Sequence, residues 1–232
     1  MLPEQENTSL APDGGPFYAE TDLTILFSEP WNAFSSLAIV LPAVYWAVKL
    51  KGDVKKYPFI FYCVPLLILG GTGSTLFHAF RNSEYLLMMD VLPTAILMFS
   101  VGVYFWLKII PNWWGTVSIV VPGTILRYAM HDIFPEELAT NLSYFIAGTI
   151  VFFPLIFYLV KTRFEKGHFI VLSVLFLIFS LICREMDHRV VDVLPMGSHF
   201  LWHIFSGIGA FFLAEYLYFI RTKELSNNAS IA

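Results

Sequence analysis

The 232 residues are 57% hydrophobic and 17% aromatic, with 14% charged and a formal net charge of −4. Soluble domains carry about 25% charged and about 45–50% apolar residues, so this balance excludes an ordinary soluble domain and marks a membrane protein. Two cysteines, Cys63 and Cys183, are too few for a disulfide framework or a thiolate zinc site. They read as small buried hydrophobes, and no nucleic-acid partner is expected.

Residues 1–22 are polar and hold Glu4, Glu6, Asp13, Glu20 and Asp22 without a Lys or Arg. They lack the basic start and apolar core of a cleavable signal peptide, so the first span is expected to act as its own insertion signal. Ser28-Glu29-Pro30 predicts a helix start, with Ser28 as N-cap and proline in the first turn. A hydrocarbon core takes ~20 apolar residues per helix, and seven stretches supply or approach that. They run at about 29–50, 57–80, 84–108, 112–130, 137–160, 168–184 and 196–220, within the few-residue error of such boundaries. The expected fold is therefore all-α: a polytopic seven-transmembrane-helix bundle over residues 23–222. A polar extracytoplasmic segment (1–22) precedes it, and a short disordered cytosolic tail (223–232) follows.

Basic residues set the orientation. Ten of them (Lys49, Lys51, Lys55, Lys56, Lys108, Lys161, Arg163, Lys166, Arg221 and Lys223) fall on one side under seven spans. Arg81, Arg127, Arg184 and Arg189 fall on the other, with the acidic N-terminus. This places the N-terminus outside and the C-terminus in the cytosol. The protein is expected in a plasma or inner membrane if bacterial, and in the endoplasmic reticulum or Golgi if eukaryotic.

The spans carry a few polar groups with chemical potential. His199 and His203, four apart, share one face of the last span. Ser74 and His78 have the same spacing in span two, and Asp90 is the only ionisable group in the middle of span three. Ionisable residues in hydrocarbon are costly, usually face the bundle interior and mark function. The topology puts all five in the outer third of the bilayer. Three neutral imidazoles suit Zn²⁺ and leave a fourth position open. Asp90 could orient a ligand or move a proton, and Ser74 could donate to a developing oxyanion. Such a set is sufficient to hydrolyse an amide or ester whose acyl chain lies among the helices. A haem between paired histidines is the competing reading; a retinal protein is disfavoured because no Lys lies mid-helix. His131, His168 and His188 read as solvated, Glu215 as paired or snorkelling, and Arg184 with Asp187 as a local ion pair.

Ser74-x-x-x-His78, Asp90-Val91-Leu92-Pro93 and His199-x-x-x-His203 within seven spans resemble the alkaline ceramidase family. That family shares a superfamily of membrane hydrolases with adiponectin-receptor-type proteins. Glu29-Pro30-Trp31-Asn32-Ala33 resembles its first-helix motif, so the likeness runs from about residue 17 to 220. The resemblance implies zinc on His78, His199 and His203, with Asp90 assisting the water and Ser74 stabilising the tetrahedral intermediate. It implies hydrolysis of the N-acyl bond of a ceramide-like membrane lipid to a sphingoid base and a fatty acid. The N-out orientation agrees with ceramidases and opposes the adiponectin-receptor branch. The alternative within the superfamily is a seven-helix lipid receptor with a structural zinc.

The departures are specific. The His78-to-Asp90 spacing is one residue longer than in animal ceramidases, and Val91 stands where they often have Glu. Animal members bind calcium through acidic residues before span one. Glu20, Asp22 and Glu29 match that cluster loosely and make Ca²⁺ a possible second metal, since a hard cation takes six to eight oxygens. Ala19 replaces a Cys frequent in relatives.

Overall fold

The computed structural model describes residues 11–230, less the side chains of residues 136, 137, 140, 141 and 144. Glu4 and Glu6 of the acidic N-terminal stretch, and residues 231–232 of the tail, lie outside the described residues.

The described residues form seven α-helices and one 3-10 turn, with no strand. The helices are α1 (Pro30–Lys49), α2 (Pro58–Phe80), α3 (Glu84–Ile109), α4 (Trp113–Ile133), α5 (Glu136–Lys161), α6 (His168–Glu185) and α7 (His199–Ala229); the turn is Asp187–Arg189. Five of them, α1, α2, α3, α6 and α7, are long and apolar enough to cross a membrane. In α5 the apolar stretch is Phe145–Lys161. Large side chains such as Phe34, Leu41, Val48, Ile178 and Phe179 are exposed along these helices, as a lipid-facing surface requires.

Helix ends follow local chemistry. Pro30 and Pro58 open α1 and α2, where the missing N–H costs nothing. Asn112 caps α4 by accepting from the Trp114 amide at 3.1 Å. Ser28 is not the cap of α1. Its own amide donates to the Ala79 carbonyl, and the Glu20 carboxylate serves instead, accepting from the Trp31 and Asn32 amides at 2.6 and 3.0 Å. A carboxylate also suits the positive end of the helix dipole better than a hydroxyl does. The expected disordered tail is likewise corrected. α7 continues to Ala229, helped by the Arg221–Glu224 pair at 3.2 Å and by a run with no Pro or Gly.

The chain divides into two compact units, one of residues up to Thr94 with those from His168 onward, the other Ala95–Gly167. In the second, α4 packs on α5 and Trp106, Val120 and Ile150 form a core, with the Trp106 indole donating to the Ile150 carbonyl at 2.9 Å. In the first, α1 lies between α2 and α7, and α7 packs on α6. Two glycines permit the close approaches that matter for the site. A Cβ on Gly207 would run into the Ala38 carbonyl of α1, and one on Gly73 into the Met89 backbone of α3. Small residues at membrane helix contacts act in this way. Midway along α7, Glu215 pairs with Lys49 at 3.4 Å, and the ammonium lies over the Trp46 ring at 4.2 Å.

Gly207→Leu therefore overpacks the α1–α7 contact against backbone that cannot yield. Its cost is about 1–3 kcal/mol, read as a lower melting temperature in detergent with helix content retained.

Candidate metal centre

His78 lies in the last turn of α2, His199 opens α7, and His203 follows one turn later. All three are buried, and one ligand atom from each lies within 4.8 Å of the other two. Ring centroids are 4.9 Å apart for His78–His203, 4.8 Å for His199–His203 and 5.3 Å for His78–His199. No other group of His, Cys, Asp and Glu converges in this way among the described residues.

The partners of the rings decide which nitrogens face inward. His78 Nδ1 is paired with the Glu29 carboxylate. His203 Nδ1 lies 2.8 Å from Ser35 Oγ and 3.3 Å from Ser36 Oγ. His78 Nε2 and His199 Nδ1 are buried with no protein partner. An unpaired buried polar atom is costly, and a metal-ligating imidazole usually binds a carboxylate or other polar group through its second nitrogen. The donor set thus fits a metal ion held by His78, His199 and His203.

α7 is set in place by a carboxylate that spacing alone assigns to another partner. Asp187 accepts from the Ser198 and His199 amides and from the Ala19 amide, each at 2.8 Å. The expected Arg184–Asp187 pair gives way because free amides at a helix start bind a carboxylate strongly. The Arg184 guanidinium instead lies 5.4 Å from the Trp202 ring centre. Tyr18 stacks on His199 with ring centres 3.9 Å apart, and burial holds its phenol above the ordinary tyrosine range.

Ser74 and Asp90 both reach this neighbourhood. Ser74 is 1% exposed, and its Oγ lies 3.0 Å from Ser36 Oγ, so Ser36 stands between it and His203. Asp90 is half-buried and faces Ser74 and His78. In the link between α2 and α3, Arg81 turns left-handed at φ 46. The close α2–α3 contact at Gly73 then brings Asp90 to the site.

The calcium candidates are arranged differently from a cation cage. Glu29 is fully buried and engaged by His78, Arg81 and Thr21. Glu20 caps α1, and Asp22 accepts from the Thr24 amide and hydroxyl at 2.9 and 2.6 Å. The three carboxylates do not converge as a ligand group among the described residues. His131, His168 and His188 are exposed, as expected of solvated rings.

Sequence reasoning missed Ser35, Ser36, Tyr18, Arg81 and Asp187. Three were within reach: Arg81 follows His78 by three residues, near its face of α2, and Ser35 and Ser36 lie one turn beyond Trp31-Asn32. Compared with protein-family models and with curated proteins, the chain matches none.

Glu29→Gln keeps the side-chain size but removes the charge that holds His78 Nδ1. Metal affinity is expected to fall roughly 10–100-fold, measured by competition with a chelator of known affinity.

Proposed function

We propose that the protein is a zinc-dependent intramembrane amidohydrolase that cleaves the N-acyl amide of ceramide-like lipids to a sphingoid base and a fatty acid. The observation that carries this reading is the buried trio His78, His199 and His203, with Glu29, Ser35 and Ser36 behind two of the rings and unpaired nitrogens on His78 and His199. Its motifs resemble those of alkaline ceramidases, which supplies the choice of zinc and of the substrate class.

Bound zinc would supply carbonyl polarisation and a more acidic water. The protein's own groups do the rest. Asp90, facing His78 and Ser74, takes a proton from the attacking water and returns it to the departing amine nitrogen. The Ser74 hydroxyl, beside Asp90 and 3.0 Å from Ser36 Oγ, donates a hydrogen bond to the carbonyl oxygen as that oxygen gains charge. The water oxygen joins the acyl carbon, the C–N bond breaks, and amine and fatty acid separate. The acyl and sphingoid chains lie along apolar helices, where hydrocarbon is already the solvent.

Purified protein should carry one zinc per chain and release fatty acid from ceramide in mixed micelles. His203→Ala should abolish both metal retention and turnover. A wild-type preparation with full zinc and no product by mass spectrometry would favour the lipid receptor with a structural metal.

We also infer that all seven helices cross the bilayer with the N-terminus outside. The ten-to-four split of basic residues supports this arrangement. In a Cys63→Ala, Cys183→Ala background, an impermeant thiol reagent added to intact cells or sealed right-side-out vesicles should label Thr24→Cys. Ser226→Cys should react only after permeabilisation.

A further inference from the structure

One residue outside the ligand set is bound more completely than any ligand. Arg81 follows α2 immediately, its side chain has no exposed surface, and its backbone has a left-handed φ of 46, where glycine would sit without strain. A guanidinium carries five N–H donors, and all five are used here. Nε and one Nη2 proton grip Asp13 at 2.7 and 3.1 Å. The other Nη2 proton goes to the Pro16 carbonyl at 3.0 Å. Nη1 donates to Glu29 and to Thr21 Oγ at 3.4 Å. The Phe77 ring lies beneath the cation, 4.7 Å from its centre.

These bonds converge on two things. Asp13, Pro16 and Thr21 belong to the segment that carries Tyr18 onto His199. Glu29 is the carboxylate that holds His78. A fully buried carboxylate without a cation would be strongly disfavoured, and breaking one side of a buried pair leaves an uncompensated charge. Asp13 shows how closely the guanidinium fits. Burial alone would raise its carboxyl, but the Arg81 hydrogen bonds and charge, with the Gly15 amide, hold it below the usual carboxylate range.

We propose that Arg81 is the positioning residue of the metal centre, a built-in organic cation that fixes the Glu29 charge behind His78 and fastens residues 11–29 beside it. This rests on the reading of His78, His199 and His203 as metal ligands. The planar, five-donor shape is essential to the role, because Asp13 and Glu29 are held by different edges of one guanidinium. A lysine has three donors at one point and cannot span both.

The test uses the full-length protein in detergent, with zinc retention against a chelator and hydrogen exchange of residues 11–29 as readouts. Arg81→Gly relieves the left-handed backbone and leaves a space shaped for guanidinium. It should lose zinc roughly 10–100-fold more readily, the range for groups behind a ligand, and residues 11–29 should exchange faster. Guanidinium at non-denaturing, millimolar concentration should restore both; ammonium or urea should restore neither. Wild-type retention and protection in Arg81→Gly, or equal rescue by urea, would overturn the proposal. If that variant does not fold, Arg81→Lys carries the comparison, and wild-type values in it would overturn the requirement for a fork. A wild type that holds no metal would defeat the metal-centre reading, while the exchange of residues 11–29 would still decide whether Arg81 fastens them.

Discussion

Glu29 stands at the start of α1 with one carboxylate oxygen turned to His78 and the other to Arg81. Both oxygens are buried, so the group is kept ionised only by what surrounds it. That single constraint orders much of the first unit. It requires a cation nearby, which Arg81 provides. It fixes which nitrogen of His78 is engaged, and so which is left to face His199 and His203. It also joins α1 to α2 through a charged contact among largely apolar helices. In hydrocarbon such a contact has few competing partners, which gives it weight in choosing one arrangement of the helices.

The groups behind the histidines come chiefly from α1, and the histidines themselves come from α2 and α7. Ser35 and Ser36 stand behind His203 as Glu29 stands behind His78. α1 therefore works as a backing plate, with three polar residues on the side that faces its neighbours. The segment before it adds the stacked Tyr18 and the capping Glu20. Asp187 completes the frame by binding both the start of α7 and the Ala19 amide.

The helices and the three clustered histidines were legible because hydrocarbon enforces simple rules. Apolar runs of sufficient length become helices, and a histidine inside one needs a reason to be there. The spacing of His199 and His203 puts them on one face whatever the rest of the chain does. Glu29 was visible as an acidic residue at a helix start, but its partner was not. Carboxylates ahead of a span suggest a cation, and whether that cation is a metal ion or Arg81 depends on where the link after α2 turns. The role of Ser28 failed for a related reason. Local sequence favours a hydroxyl cap, and Glu20 reaches the same amides from a loop whose path is tertiary. Asp187 was misassigned because Arg184 is near in sequence, while its actual partners, the Ala19, Ser198 and His199 amides, are farther along the chain.

α2 and α7 touch each other only slightly; each leans instead on α1. An ion shared by His78 on one and the histidine pair on the other would close that open side, turning a stack of three helices into a ring. Metal binding would then draw on the same free energy that holds the bundle together. The centre would be a rivet as well as a reagent, and a chain stripped of its ion would be looser along that seam before any chemistry was lost.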